Sequence, residues 1–521
     1  MFLSPRIRSN GSLTGAVRRF AEDTSGTLVV WFLFCVVGLI MAVGMGLSLY
    51  LHETNRISLQ NTLDRAVLAA TDLDQTRDAV AVIEDYAARA GVGEYLTDAT
   101  VTQGVNYRTA SATAKMDVPT IAIPGTDSWR VEVQSAAFES ITDVEIALVL
   151  DNSGSMGWNN DYRLDLLKPA ARDFIDSVSR PVVAGMPGSV AVSIIPFSTQ
   201  VNAGTLLADH VDFSSQHTFN ACARFDDEDF TTTALDPSAT LQRAGHFDIF
   251  TYDAPVDTYG VVCPFDGSRH ITAWSQDPEA LKDQIDAMWA GGNTSMDVAT
   301  KWGAAMLDPA FRPVLDGLVA SGDVESNISG QPFSYNRENT LKVLVVMSDG
   351  QNTDEFRLRE AYRSGDSPVY RDPETGALSY RYESTNWYYA LNAGEWRNRP
   401  DGGDDAERVS WPDLLDMMSV AHYARYVKAA ALGGNWGNYY NEMFTVVPAW
   451  KKNQRTSAIC AAARDAGMVV YTIGMDTYGQ GDDTLEDCAG SSTNFYDIDA
   501  IEISQAFSSI AQQINQLRLT Q

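Results

Sequence analysis

The chain has 521 residues, of which 45% are hydrophobic and 20% charged, and these values are ordinary for a folded protein rather than a disordered one. Its length allows several domains. Its 38 basic and 68 acidic residues give a formal net charge of −30. Because nucleic-acid binding depends mostly on neutralising phosphates, so acidic a chain is a poor candidate for it.

A long apolar run lies between Leu28 and Leu51, with the sequence LVVWFLFCVVGLIMAVGMGLSLYL. It holds no charged residue and is long enough to cross a bilayer as one helix. A buried core helix is the alternative, whereas a cleavable signal peptide would have a shorter apolar core and a small-residue cleavage site, neither of which is evident. We therefore expect an N-terminal cytoplasmic segment over residues 1–26 and a transmembrane helix over residues 27–51.

Basic residues flank this run unequally. Four arginines precede it and two follow it closely: Arg6, Arg8, Arg18 and Arg19 on one side, Arg56 and Arg65 on the other. The positive-inside rule then predicts a cytoplasmic N-terminus and export of everything after residue 51.

The cysteines agree with export. Cys35 falls in the membrane run, and the exported side holds Cys222, Cys263, Cys460 and Cys488. Four cysteines in an oxidising compartment can pair in three ways, and neighbourhood in sequence suggests Cys222–Cys263 and Cys460–Cys488. No two of them have CxxC metal spacing, so disulfides are favoured over a metal site and over free buried thiols.

Between the apolar run and residue 141, a helical pattern is followed by an extended one. Apolar residues recur every three to four positions through HETNRISLQNTLDRAVLAATDLDQ, which predicts that the membrane helix continues outward with an amphipathic face. TRDAVAVIEDYAARAG predicts a second helix that ends at Gly91. Ala99–Pro119 and Arg130–Ser140 alternate apolar and polar residues, as half-buried strands do. We expect residues 52–141 to form this helix and a small α+β module.

From Asp143 onward, strands alternate with helices. VEIALVLD, SVAVSIIPFST, LKVLVVMSD and MVVYTIGMD predict strands, and their Val, Ile and Leu content is typical of a parallel sheet covered on both faces. The expected fold class is α/β, a doubly wound and mostly parallel sheet with helices on both faces, over residues 142–521. Two segments, at about 202–275 and 355–455, interrupt the alternation. Their aromatic residues favour ordered insertions over disorder.

Acidic and hydroxyl residues follow the strands of this domain. Asp151 ends the strand VEIALVLD within DNSGSMG, Asp349 follows the strand LKVLVVMS, and the glycine-containing stretch AGGNTSMD lies between them. Because ligands bind beyond the carboxyl ends of the strands in open parallel sheets, we expect these loops to meet. Their all-oxygen set suits a hard cation, Mg²⁺ first and Ca²⁺ or Mn²⁺ next. The candidate metal ligands are Asp151, Ser153, Ser155, Thr294 and Asp349.

The spacing in DNSGSMG has a physical reason. Alternate residues of a tight loop can turn their oxygen atoms to one point, and neutral hydroxyls leave a bound cation with net charge and an open position for a carboxylate of another molecule. In the alternative interpretation, Asp151 and Ser153 cap the following helix, as Asp and Ser often do. The presence of all three motifs in order favours the cation site.

DNSGSM resembles the Asp-x-Ser-x-Ser signature of von Willebrand factor type A (VWA) domains, and the later threonine and aspartate follow in the expected order. The resemblance covers roughly residues 143–519 apart from the two insertions. It implies a VWA-like fold and a metal-ion-dependent adhesion site (MIDAS) formed by Asp151, Ser153, Ser155, Thr294 and Asp349. The family often has a second threonine near the first, whereas here Asn293 and Ser295 flank Thr294.

The N-terminal part carries a second resemblance. GTLVVWFLFCVVGL followed by LQNTLDRAVLAA resembles the start of the TadE/TadG-like proteins of bacterial Tad (Flp) pilus assembly, and WGAAMLDP and QAFSSIAQQINQLR are similar to TadG-type proteins with a VWA domain. This resemblance implies a single-pass bacterial inner-membrane protein with a periplasmic C-terminal domain. It also implies a protein partner, a pilus-assembly or pilin component, that supplies a carboxylate to the metal.

The leading hypothesis is a membrane-anchored, metal-dependent protein-binding protein of adhesion type that acts in pilus assembly or anchoring. An extracytoplasmic adhesin or matrix-binding protein unrelated to pili is the alternative. A Mg²⁺-dependent hydrolase is a further alternative that the sequence disfavours, because a haloacid-dehalogenase-like phosphatase would want a second acid where Ser153 stands. No G-x-S-x-G nucleophile elbow follows a predicted strand. GNTSMD and NSGSMG lack the lysine of a phosphate-binding loop, so we expect no enzyme activity.

Overall fold

The computed structural model of the chain describes residues 13–22, 27–72, 77–103, 107–140, 143–179, 189–252, 260–263, 266–479 and 481–520. The chain divides into two compact units, Met1–Ser140 and Ile141–Gln521. Parts of three expected segments lie outside the described residues. They are 1–12 and 23–26 of the cytoplasmic segment, including Arg6 and Arg8; 73–76, 104–106 and 141 of the 52–141 segment; and 142, 180–188, 253–259, 264–265, 480 and 521 of the 142–521 domain, of which 253–259 and 264–265 belong to the first insertion.

The first unit combines helices with a small sheet. Its described elements are α1 (Leu13–Glu22), α2 (Thr27–Thr71), α3 (Ala79–Arg89), β1 (Leu96–Gln103), β2 (Tyr107–Pro119) and β3 (Ser128–Ser140). The three strands form an antiparallel sheet in the order β1-β2-β3. The stretch Ala99–Pro119, expected as one extended segment, is therefore divided between two antiparallel strands.

The long helix α2 has two parts with different surroundings. From Leu28 to Tyr50 most of its large apolar side chains are exposed, and of the described helices it alone is long and apolar enough to cross a membrane. Farther along, Leu59, Leu63 and Val67 are buried in a cluster with residues of α3 and the sheet. The helix thus continues past the apolar run with one buried face, and its first part is not a core helix of this unit.

The second unit is built on a large sheet. Its described strands, in chain order, are β4 (Asp143–Asp151), β5 (Val190–Phe197), β6 (Thr272–Ser275), β7 (Thr340–Ser348), β8 (Glu355–Leu358), β9 (Asp366–Arg371), β10 (Leu378–Arg381), β11 (Tyr388–Ala390), β12 (Glu395–Arg397), β13 (Glu407–Ser410), β14 (Phe444–Val447), β15 (Val469–Met475) and β16 (Phe495–Ile498). The main sheet has the order β16-β15-β7-β4-β5-β6. Its neighbours pair in parallel, except that β6 is antiparallel to β5.

Helices cover both faces of the main sheet. The described helices of the unit are α4 (Trp158–Val178), α5 (Gly204–Ala208), α6 (Pro278–Ala287), α7 (Met296–Leu307), α8 (Arg312–Ser321), α9 (Trp411–Met417), α10 (Val420–His422), α11 (Ala429–Leu432), α12 (Trp436–Asn441), α13 (Ala449–Asp465), α14 (Asp482–Ala489) and α15 (Ile503–Thr520), of which α9 to α12 pack in the second insertion and not on the main sheet. Ile146 and Leu148 of β4 pack with α4, α6 and α15, whereas Ala147 and Val149 pack with α7, α13 and α14. Every residue of β4 is buried, as expected for a central strand covered on both faces. The predicted α/β, mostly parallel, doubly wound fold class is confirmed.

The two expected insertions differ in structure. Within 355–455, β8 pairs with β14, and β9 to β13 form an antiparallel sheet that shares a core with α9 and its neighbours. The segment 202–275 is mostly irregular among its described residues, and its last four residues form the edge strand β6 of the main sheet. Helix α13 begins at Ala449, inside the second expected range, and packs against α7.

Candidate metal centre

The carboxyl ends of β4 and β7 lie side by side because the two strands are parallel neighbours. Asp151 is the last residue of β4 and is fully buried. Its Oδ2 accepts a hydrogen bond from the hydroxyl of Ser348, the last residue of β7, at 2.6 Å, and its Oδ1 accepts one from the amide of Ser153 at 2.7 Å. Asp151 therefore fixes the start of the serine loop and joins it to the strand that precedes Asp349.

The serine loop reaches Asp349 directly. The hydroxyl oxygens of Ser153 and Ser155 lie 3.1 Å apart, and the Ser155 hydroxyl donates to Oδ1 of Asp349 at 2.8 Å. Ser155 and Asp349 are 194 positions apart in the chain, so the sheet brings them together. Four of the five candidate ligands thus form one continuous chain of hydrogen bonds.

The fifth candidate ligand comes from the loop before α7. Thr294 lines the same pocket as Ser155 and Asp349. Its loop is bonded to the serine loop through the backbone, because the Gly154 amide donates to the Gly292 carbonyl at 2.9 Å. The structure therefore places all five candidate ligands at one edge of the sheet.

Helix α4 places a positively charged side chain, that of Arg163, at this edge of the sheet. Arg163 donates from Nη1 to Oδ2 of Asp349 at 2.7 Å and from Nε to Oδ2 of Asp476 at 3.2 Å. The same Nη1 lies 3.4 Å from the carbonyl oxygen of Ser155. Arg163 thus connects the serine loop, the Asp349 loop and the loop after β15, and it compensates part of their negative charge.

Burial shapes the electrostatics of the two carboxylates. Burial, followed by the nearby charge of Asp349, raises the pKa of Asp151 to about 7. Burial also raises the pKa of Asp349, against the opposing effects of the Ser155 hydrogen bond and the Arg163 charge. Two adjacent buried carboxylates are costly to ionise together, so an added cation would stabilise their charged forms.

The donor chemistry of the site fits a hard divalent cation, since its side chains offer carboxylate and hydroxyl oxygens. Across the described residues, no group of three or more His, Cys, Asp and Glu side chains is placed to hold a metal ion. A cation at this edge would therefore depend on hydroxyl as well as carboxylate ligands. Ser155, Thr294 and Asp349 line the pocket, whereas Asp151 and Ser153 are buried and do not line it.

Two exposed aromatic side chains stand at the rim of the same pocket. Trp158 is 66% exposed and Tyr478 is 80% exposed. Asp476 and Tyr478 have φ values of 53° and 50°, which are uncommon for residues other than glycine. Such backbone strain persists only where the surroundings enforce it, and it concentrates at functional sites.

Several pocket residues carried no prediction from the sequence: Arg163, Thr353 and Asp476 all line it. Asp476 had a usable signal, because it ends the strand pattern MVVYTIGMD as Asp151 ends VEIALVLD. Arg163 and Thr353 lie in a helix and a loop without a distinguishing pattern, and only the tertiary structure brings them to the site.

Both disulfides that sequence neighbourhood suggests are present. Cys222 is bonded to Cys263 and Cys460 to Cys488, with Cα–Cα distances of 6.1 and 4.9 Å. The second bond joins α13 to α14 inside the main core. Cys35 is free and exposed.

No protein-family model matches the chain, and no curated protein matches it. Solved structures of other proteins are similar to the chain. The von Willebrand factor domain of the type V pili tip protein Mfa5 from Porphyromonas gingivalis is similar at 13% identity over 72% of this chain and 96% of that chain, with a TM-score of 0.33. The pilus adhesin SpaC from Lactobacillus rhamnosus GG, in its open conformation, is similar at 12% identity over 80% of this chain and 33% of that chain, with a TM-score of 0.28.

Proximal thread matrix protein 1 from the mussel byssus, with a zinc-occupied MIDAS motif, is similar at 12% identity over 72% of this chain and 48% of that chain, with a TM-score of 0.27. This chain thus spans about half of that protein and a third of SpaC. At these identities and TM-scores, the likeness assigns neither a function nor a partner to this chain.

Proposed function

We propose that the chain is a membrane-anchored, metal-dependent protein-binding protein of adhesion type that acts in the assembly or anchoring of a Tad/Flp pilus. The observation that carries the proposal is the hydrogen-bonded set of carboxylates and hydroxyls at the ends of β4 and β7, of which Ser155 and Asp349 share a pocket with Thr294. The ligands of a divalent cation, Mg²⁺ or else Ca²⁺ or Mn²⁺, would be Asp151, Ser153, Ser155, Thr294 and Asp349.

The proposed partner supplies a carboxylate to this cation. When bound, the cation provides a positive charge that can accept an external carboxylate, because three of its five protein ligands are neutral hydroxyls. Ser155 and Thr294 line the pocket, in which the partner carboxylate would reach the cation. Trp158 and Tyr478 at its rim are exposed aromatic side chains of the kind that dominates protein interfaces.

The proposed location is the bacterial inner membrane, with the N-terminus in the cytoplasm and the second unit in the periplasm. Helix α2 supports an anchor, since its apolar part is exposed and long enough to cross a bilayer. Two disulfides in the second unit support an oxidising compartment. The role in pili rests on the TadG-like sequence at both ends of the chain.

The proposal is tested by mixing the full chain, purified in detergent micelles, with pili sheared from the producing bacterium. We expect the wild type to retain pilus components with Mg²⁺ and to release them with EDTA, and we expect Asp151→Ala to retain none. Asp173→Ala is the matched control, because Asp173 is an exposed carboxylate on α4 outside the pocket. Equal retention with and without Mg²⁺, or by Asp151→Ala, would contradict the proposal.

The same experiment separates the pilus role from a general adhesive one. Metal-dependent retention of a host or matrix protein, with no retention of pilus components, would support the adhesin alternative instead. A deletion of the gene that left pilus assembly and surface adhesion unchanged would also exclude the pilus role.

A further inference from the structure

A buried lysine on α13 contacts the loops of the metal centre. Lys452 has no exposed side-chain surface. Its ammonium donates hydrogen bonds to the carbonyl oxygen of Thr294 at 2.7 Å, the hydroxyl of Ser295 at 2.6 Å and the carbonyl oxygen of Thr353 at 2.9 Å. An ammonium has three protons, so these acceptors account for all of them.

The acceptors of Lys452 belong to two loops that also bind each other. The Thr294 amide donates to the Thr353 hydroxyl at 2.9 Å, and the Thr353 amide donates to the Thr294 carbonyl at 3.1 Å. Both threonines line the pocket of the metal centre. Lys452 therefore binds the carbonyl oxygens of both threonines from the interior of the protein, and it holds the Thr294 loop against the loop that follows Asp349.

The buried carboxylate nearest to Lys452, that of Asp297, is not the acceptor of its hydrogen bonds. Asp297 is fully buried, and its Oδ1 lies 3.9 Å from the Lys452 ammonium, beyond hydrogen-bond distance. Among the described residues, no side chain donates a hydrogen bond to either carboxylate oxygen of Asp297. A lysine that served only to neutralise Asp297 would donate to it. Lys452 instead directs its protons to the two loops and compensates the charge from a distance.

Helix α13 joins this contact to the rest of the unit. One turn after Lys452, Arg455 donates to Asp227 of the first expected insertion at 2.8 Å and lies 3.8 Å from Glu355, where the second begins. Removal of the Lys452 ammonium would leave its carbonyl acceptors unpaired, and the charge of Asp297 would be compensated only by Arg455, whose Nη1 lies 3.7 Å from Oδ2 of Asp297. The position of Thr294 thus depends on how α13 packs.

We propose that Lys452 is a positioning residue of the metal centre: it holds the Thr294 loop in place and so sets the affinity for the cation without contacting it. This inference rests on the proposed metal binding. The partners that orient metal ligands typically change metal affinity by about 10- to 100-fold when they are removed. Lys452 is such a partner, and its position in the first turn of α13 makes that helix part of the site.

The test is a calorimetric titration of the full chain in detergent micelles with Mg²⁺ alone, with circular dichroism to establish that each variant is folded. We expect Lys452→Met to bind Mg²⁺ at least about tenfold more weakly than the wild type. The matched control is Lys301→Met. Lys301 is another buried lysine, on α7, and its ammonium donates to the carbonyls of Thr232 and Ala234 at 2.7 and 2.8 Å, away from the pocket.

Lys301→Met should bind Mg²⁺ within about twofold of the wild type, because its contacts are separate from the site. Where Lys452→Met does not fold, Ser295→Ala is used instead, since it keeps the lysine and removes one of its acceptors, together with the hydrogen bond that the Ser295 hydroxyl donates to the Thr199 carbonyl at 2.7 Å. We expect Ser295→Ala to weaken Mg²⁺ binding about threefold.

The outcomes separate this inference from the proposed function. Absence of Mg²⁺ binding by the wild type would overturn the proposed function, and the inference with it. Binding by the wild type together with unchanged affinity of folded Lys452→Met, or of Ser295→Ala in its place, would overturn the inference alone. Equal weakening by Lys301→Met would also overturn it, because loss of any buried lysine would then have the same effect.

Discussion

Arg163 donates a hydrogen bond to Asp349 at 2.7 Å, so the carboxylate that the sequence predicts as a metal ligand is already paired with a positively charged side chain of the protein. The side chain of Arg163 is 15% exposed, and that of Asp349 is 1% exposed, so solvent screens this pair only weakly. Arg163 and a divalent cation would share the charge of Asp349. The arginine therefore stabilises the site without metal and opposes the binding of metal.

Replacement of Arg163 by glutamine should separate these two effects. We expect Arg163→Gln to lower the free energy of unfolding without metal by about 2 kcal/mol, because it leaves the buried carboxylate of Asp349 without its charged partner. We expect it to bind Mg²⁺ about tenfold more tightly, because a repulsive positive charge is removed. Denaturant unfolding and calorimetric titration measure the two quantities.

Arg172 provides the control for this change. It lies on the same helix and pairs with Asp286, but both side chains are more than 40% exposed. Arg172→Gln should change neither quantity appreciably, since exposed ion pairs contribute about 1 kcal/mol or less. Weaker Mg²⁺ binding by Arg163→Gln would show instead that the arginine assists the cation.

The centre of the fold could be predicted from the sequence, and its edges could not. The four predicted strands are the buried ones, whose Val, Ile and Leu content follows from burial on both faces. The edge strands β6 and β16 have four residues each and are mostly half-buried, so their sequences lack that pattern. A strand that is covered on one side only gives a weaker signal over a short length.

The candidate site divides in a similar way. Asp151 and Asp349 could be placed together because each follows a buried strand, and parallel strands end at one edge of the sheet. Lys452 and Arg163 act through contacts 158 and 186 positions away in the chain. A local sequence pattern cannot predict contacts between such distant positions, so the residues that hold the candidate ligands in place can be identified only from the tertiary structure.

Gly292 tests how closely the loops of the site must approach. Its φ is 87°, and a Cβ atom there would lie 2.6 Å from Oγ1 of Thr199. We expect Gly292→Ala to lower the free energy of unfolding by about 1 to 3 kcal/mol and to weaken Mg²⁺ binding, because it displaces the loop that carries Thr294. Gly350→Ala is the control, since Gly350 lines the same pocket but has open space around it. Equal effects of the two substitutions would contradict this account.

The bond between Cys460 and Cys488 should stabilise the second unit substantially. It closes a segment of 28 residues between α13 and α14. Loop-closure entropy predicts that the double variant Cys460→Ala/Cys488→Ala loses about 3 to 4 kcal/mol of unfolding free energy. Denaturant unfolding of the oxidised wild type and the double variant measures this loss. Cys35→Ser should be neutral because Cys35 is free and exposed, and a thiol assay that found five free cysteines would refute the bond itself.

A buried histidine in the first expected insertion predicts a pH dependence of stability. His217 is 7% exposed, and its Nε2 lies 2.8 Å from the carbonyl oxygen of Ala244. Burial, with smaller contributions from the charges of His246, Arg243 and Arg363, lowers the pKa of His217 to about 4 from an ordinary value of 6.5. The folded chain therefore keeps His217 neutral at pH values where the unfolded chain protonates it.

Because the unfolded chain binds more protons between pH 6.5 and pH 4, the free energy of unfolding falls as the pH is lowered through this range. No stability is lost through His217 above pH 6.5, and the loss amounts to about 3 kcal/mol when the pH has fallen to 4. His217→Gln can keep a donor near Ala244 but does not titrate. Between pH 6.5 and pH 4, the unfolding free energy of this variant should therefore fall by about 3 kcal/mol less than that of the wild type. Denaturant unfolding at several pH values measures the slope. The half-buried His210 provides the control, and an equal change of slope in His210→Gln would rule out the assignment to His217.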